Sequence, residues 1–296
     1  MLFIVILVLK SLFCITESSL KTFQNATTYE LGDHTVVSSS NVFPYVAAIL
    51  NKSKYLCAGA LIDESWVLTV ADSVFLFRDS LRLIHVRLGS INNKQGGKLM
   101  PIKLIEFHPF FDDQKPEFDI ALIQLGQRVR LTANLNPIRL QRKRKNVMAT
   151  HFIVTAWSMQ HTSSAELYKM ASMQDIQRRR MLRVAHLHPS KKQQCDEVLD
   201  ELGFLKSNIM CLDPTMTGGT DPCSRDVGAP VVLNGILWGV LSSWVPEDCD
   251  LLPGPTFVVL TSAPNITSWI HATLRGIKWH KWTIFDTDYE EYEDDD

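Results

Sequence analysis

Among the side chains of this 296-residue chain that can enter covalent or metal chemistry are six cysteines, nine histidines and the asparagines of three N-x-S/T sequons. Zinc needs Cys and His at short fixed spacings. No CxxC pair or comparable Cys/His spacing occurs, so no metal and no other cofactor is expected. Oxidative pairing and glycosylation remain, and both depend on export. Leu2 to Leu9 is an unbroken apolar run closed by Lys10, with a second short stretch to Cys14 and polar residues from Thr16. A spanning helix takes about 20 apolar residues. The run is too short for that and reads as a signal peptide over residues 1–18, which predicts a secreted, extracellular protein. Cys14 leaves with it. Cys57, Cys195, Cys211, Cys223 and Cys249 remain, an odd set in which four can pair and one is left over. Asn25, Asn51 and Asn265 are the glycosylation candidates.

Charge offers a second kind of chemistry. The formal net charge of −2 hides an asymmetry: residues 286–296 hold eight acids and no base, and without them 30 bases face 24 acids. The tail reads as a disordered, solubilising segment whose Tyr289 and Tyr292 are candidate sulfation sites. Two basic runs, one with Arg142, Lys143 and Arg144 and one with Arg178, Arg179 and Arg180, are candidates for a polyanion such as a sulfated glycan, against the plainer reading of solvated loops. Nucleic acid and membrane are not expected as partners.

Composition, at 46% hydrophobic and 21% charged, excludes a mostly disordered or collagenous chain and a multi-span membrane protein. After a Ser/Thr/Asn-rich arm over 19–40, short β-like runs alternate with turns: Tyr45 to Leu50, Cys57 to Ile62, Trp66 to Ala71, Asp119 to Leu125 and Phe152 to Trp157. Pro230 to Leu241 carries Asn234-Gly235 between two apolar runs, a strong hairpin signal. Ile266, Trp269, Ile270 and Leu274 recur at helical spacing between Pro264 and Gly276, which predicts one closing helix. The pattern is all-β, a sandwich or barrel, over 41–275, followed by an aromatic-basic and then acidic tail over 276–296.

Taken in order, these pieces resemble the trypsin/chymotrypsin serine protease family. Cys57-Ala58-Gly59-Ala60-Leu61-Ile62 is similar to its CGGSLI, and Trp66 to Ser73 to its WVLTAAHC. His108-Pro109-Phe110-Phe111 with Asp119 to Leu125 resembles HPxY…DIALLKL. Val154 to Ser158 resembles VTGWG, and Asp221 to Val232 resembles DSCQGDSGGPLV. Ser268-Trp269-Ile270 matches the SWI of the family's closing helix. The resemblance runs from about Phe43 to Leu274. It implies two antiparallel six-stranded β-barrels, a C-terminal α-helix, and a site in the cleft between the barrels.

Family chemistry uses a serine nucleophile, a histidine base and an orienting aspartate. The resemblance puts Asp72 at the histidine position, Asp119 at the aspartate position and Val227 at the serine position. Valine has no nucleophile, and aspartate is too short and too acidic to serve as a neutral-pH base. Repulsion between two neighbouring carboxylates, Asp72 and Asp119, should raise one of their pKa values. An aspartic-protease-like dyad would need a shared proton and a positioned water, against the plainer reading that Asp72 points to solvent in an open cleft. Arg225 stands where the family has an oxyanion-hole glycine. Asp226 matches the aspartate that pairs with a new N-terminus after activation, yet the arm (Leu31 to Val37) has no matching cleavage site.

Asp221 falls at the pocket aspartate of trypsin-like members, or is an incidental loop acid. Trp244, in Ser242-Ser243-Trp244, replaces a pocket-entrance glycine and narrows the slot unless the alignment shifts by one residue. The family implies bridges Cys195–Cys211 and Cys223–Cys249. Ser73 replaces the usual partner of Cys57, which becomes either a buried inert thiol or an intermolecular bridge. Ser73, Ser224 and Ser242 are candidate substitute nucleophiles. His34, His108, His186 and His188 read as surface or packing residues. The expected function is a secreted, non-catalytic serine protease homologue acting through a protein partner (a protease, inhibitor or substrate) as cofactor, decoy or scaffold. The alternatives are a glycan-binding module and an endopeptidase with rewired residues.

Overall fold

The structure is a computed structural model that describes residues 30–31, 34–143, 151–157, 177, 180–213, 227–244, 255–277 and 279. Two short strands, β1 (Glu30–Leu31) and β2 (His34–Val36), precede the first half. That half contains β3 (Val46–Asn51), β4 (Lys54–Asp63), β5 (Trp66–Thr69), β6 (Ile84–Leu88), β7 (Lys98–Phe107) and β8 (Ala121–Leu125). They close into an antiparallel barrel in the order β3-β4-β5-β8-β7-β6. Its interior is apolar: Ile49, Leu61, Leu68, Val86, Leu88 and Ile123 are all buried. Between β5 and β6 lies a single helical turn, α1 (Asp72–Phe75).

The second half is formed by β9 (Arg139–Leu140), β10 (Phe152–Ala156), β11 (Arg183–Leu187), β12 (Ile209–Leu212), β13 (Pro230–Leu233), β14 (Ile236–Leu241) and β15 (Thr256–Leu260). Its ladders run β1-β2-β11-β10-β13-β14-β15-β12. Six of these strands form a ring that closes at one bridge rather than a full ladder. Pro189 pairs with Leu212, the Ser190 N–H donates to the Cys211 carbonyl at 3.0 Å, and the Asp213 N–H to the His188 carbonyl at 2.8 Å. Two features depart from the expected layout. β9 pairs with β14 in parallel, and the arm expected over 19–40 joins the sheet at its end, β2 lying against Arg183 and Val184.

Local chemistry explains the connections. Asn234 (φ 51°) and Gly235 (φ 71°) both hold the left-handed backbone that a two-residue hairpin between twisted strands requires. Helix α2 (Lys192–Glu201) buries Cys195 and Leu199, four residues apart, and the Cys195–Cys211 disulfide ties it to β12. Helix α3 (Pro264–Leu274) starts on proline, buries Ile266, Trp269 and Ile270, and ends before Gly276 at φ +69°. No helix among the described residues is long and apolar enough to cross a membrane.

Candidate functional site

Asp119 is 1% exposed and lies where the two halves meet. The wholly buried run of β5 continues through Val70 and Ala71 into α1, whose opening N–H groups have no partner within the turn. Asp119 supplies it: its Oδ1 accepts the Ala71 and Asp72 N–H groups, each at 2.9 Å. Its Oδ2 accepts the Ser242 hydroxyl at 2.8 Å, and the N–H and hydroxyl of Ser243, each at 2.9 Å. Both serines sit at the end of β14. One carboxylate therefore joins the first barrel to the second half through five charge-assisted hydrogen bonds.

Asp72 itself is exposed, on the solvent side of α1. Its carboxyl is pushed above the usual carboxylate range, first by partial burial, then by the negative charge of Asp119 and of the more distant Asp113; a hydrogen bond with Ser243 opposes the rise. The lone pairs of Asp119 are engaged by N–H and O–H donors from Ala71, Asp72, Ser242 and Ser243. Histidine is not among those donors.

Val227 is buried, and its carbonyl accepts the Ala58 N–H from β4 at 2.9 Å. Gly228 follows at φ +73°, with its N–H on the Leu241 carbonyl at 2.8 Å. A Cβ there would lie 2.3 Å from the Ala58 carbonyl oxygen. Val227, Asp119 and Asp72 thus gather at one seam, because Leu241 directly precedes the serines that hold Asp119. The same seam covers Cys57. Its sulfur is 3.4 Å from the Thr69 hydroxyl, which also donates to the Ala58 carbonyl at 2.7 Å. Burial pushes the Cys57 thiol up to about 12, against hydrogen bonds to Thr69 and Ser73 and with small contributions from Asp119 and Asp72. It is a fully buried free thiol.

The other candidates separate. Ser242 is buried with its hydroxyl committed to Asp119. Trp244 is half-buried and packs edge-on to Phe204 at 5.0 Å and against Phe257 at 5.4 Å. Asn51 and Lys54 frame a two-residue hairpin turn, and Asn265 lies in the first turn of α3. Arg142 and Lys143 are exposed, Arg142 facing His271, whereas Arg180 faces Lys94. Among the described residues, the two runs thus act on different neighbours. Asp221, Ser224, Arg225, Asp226, the Cys223–Cys249 bridge, Asn25, Arg144, Arg178 and Arg179 lie outside the described residues, as do the signal segment and the acidic tail. Two participants went unread in the sequence. Ser243 was visible only as half of a serine pair, and Thr69 only as the polar end of an apolar strand.

The sequence matches the family model for trypsin over residues 34–270. It is 27% identical to trypsin 5G1 of Aedes aegypti over 191 residues, covering 64% of this chain and 66% of that protein. It is 28% identical to granzyme M of Rattus norvegicus over 235 residues (78% and 84% of the two chains), and 25% identical to kallikrein-11 of Homo sapiens over 238 residues (79% and 77%). Among solved structures, neuropsin, a serine protease expressed in the limbic system of mouse brain, superposes with a TM-score of 0.61 at 23% identity, over 79% of this chain and 96% of that one. Two β-barrels meeting at a buried aspartate, a closing helix and a family match across most of its length place this chain in the trypsin family.

Proposed function

We propose that this protein is a secreted, non-catalytic member of the trypsin family that acts by binding a protein partner. The observation that carries the reading is the composition of the seam. Val227, which the motif resemblance puts at the nucleophile position, is buried, and the buried Asp119 is held by backbone N–H groups and serines where catalysis would require an oriented base. A triad works as a unit, so losing both nucleophile and base removes nearly all of its rate enhancement. The scaffold does not depend on them, since the barrels close on apolar strands and the Cys195–Cys211 bridge, which suits an oxidising compartment.

A fluorophosphonate probe, which phosphonylates activated serines as fluoride leaves, tests the reading against a rewired enzyme. The expected mass spectrum of the treated native protein shows no adduct. An adduct on Ser73, Ser224 or Ser242 would establish a substitute nucleophile.

A second reading, binding of a sulfated glycan, is favoured by one cluster. The Asn93 N–H donates to the Arg180 carbonyl at 3.0 Å, and its carbonyl accepts the Arg87 Nε–H at 3.2 Å. Lys94 follows, its ammonium driven below the usual lysine range by burial first and then by Arg180 and Arg87. Three cations therefore converge around one residue, and heparin affinity chromatography reads their effect directly.

A further inference from the structure

The segment before α2, the start of that helix, β12 and the residues ahead of α3 enclose a cavity of about 470 Å³. None of Asp72, Asp119, Val227, Ser242 or Cys57 lines it. Its floor is apolar, with Met210, Trp238 and Leu260 alongside the Cys195–Cys211 disulfide; its rim carries Lys191, Lys192 and Lys206. We propose that this cavity binds an amphipathic monoanion, a carboxylate or sulfate head on an apolar body.

Size and lining set the class. The volume falls in the range that encloses a small organic ligand, and an apolar floor rewards burial of a hydrocarbon or aromatic body at roughly 25 cal/mol per Å². The charges are placed rather than diffuse. Lys192 is tied to Asp196 at 3.2 Å and Lys206 to Asp200 at 2.5 Å, which fixes two ammonium groups at the mouth. Lys191 is exposed at the N-cap of α2, and the first turn of that helix contains no acid and no side-chain cap. Positive charge at that end is therefore the least compensated, and the anionic head belongs there. Lys192 and Lys206 are each neutralised by a paired aspartate, so among the described lining residues the unbalanced charge is that of Lys191, which matches a monoanion rather than a polyanion. The inference does not depend on whether the protein is catalytic.

Isothermal titration of the full-length secreted protein with laurate, below its micellar concentration, tests it. Saturable 1:1 binding is expected, with dodecyltrimethylammonium (same chain, opposite charge) and acetate (same head, no chain) each at least 100-fold weaker. Lys191→Glu, an exposed change that also suits a helix start, should weaken laurate at least 10-fold while the thermal unfolding midpoint stays unchanged. Location is read separately: 11-bromoundecanoate should quench tryptophan emission, and Trp238→Phe should remove most of that quenching. Absence of saturable laurate binding, equal binding of the cationic amphiphile, an unchanged Lys191→Glu affinity, or quenching that survives Trp238→Phe would each overturn the proposal.

Discussion

Removing the charge from Asp119 leaves its donors in place. In Asp119→Asn one carboxylate oxygen becomes an NH₂ group, which then faces either the Ala71 and Asp72 N–H groups or the Ser243 N–H. Serine hydroxyls can turn to accept, but backbone N–H groups cannot. Leaving a buried donor unpaired and losing the charge-assisted bonds should cost about 3 kcal/mol, read as a lower urea midpoint at constant m-value. The same change relieves Asp72 of a neighbouring negative charge. At this scale the sequence was partly legible. The residues that the resemblance singled out, Asp72, Asp119 and Val227, lie at one seam, and of the two acids Asp72 has its carboxyl raised, by burial first and by the charge of Asp119 second. What could not be read was the role of Ser243. A serine's polarity does not name its partner, and its two bonds to Asp119 exist only because β14 ends at the seam.

Elements meet at His108. Its ring stacks on Phe118 at 4.5 Å, touches Phe110 at 5.6 Å, and meets Trp269 of α3 at 5.1 Å and Trp279 beyond it at 5.4 Å, so the closing helix is clamped to the loop before β8. Nδ1 accepts the Phe110 N–H at 3.2 Å, and burial lowers the ring's pKa to about 4 despite an opposing interaction of the ring with the Asn265 backbone. The unfolded chain protonates this histidine near 6.5 while the folded chain resists until about 4. The neutral ring's stability is thus complete above the unfolded value and is lost as pH falls from 6.5 toward 4. Between pH 7 and pH 4.5 wild-type should lose about 2 kcal/mol more than His108→Phe in paired urea titrations. A packing role for His108 was legible, as were the Asn234-Gly235 hairpin and α3. β7 and α2 were not. β7 keeps only Met100 fully buried among ten residues, and α2 buries just Cys195 and Leu199, so neither carries a strong apolar period.

Across the whole molecule, the two halves are pinned through backbone as well as through Asp119. Gly228 lets the chain pass between Ala58 of the first barrel and Leu241 of the second half. Gly228→Ala combines a strained positive φ with a methyl 2.3 Å from a carbonyl oxygen, and should cost at least ~3 kcal/mol, visible as a drop in the thermal midpoint. The two-barrel plan was legible from motif order, because each motif marks a fixed strand or turn. The closure of the second ring at Pro189 and Leu212, the parallel β9 and the recruitment of His34–Val36 were not. Those contacts join residues far apart in the chain and leave no local pattern. We propose that the family architecture has outlasted catalysis in this chain. Incubating the purified protein with a diverse peptide library, read by mass spectrometry beside a mock purification, should give no cleavage above the mock. Cleavage that tracks with the protein would contradict the proposal, and cuts after Lys or Arg would point to Asp221 as part of a working pocket.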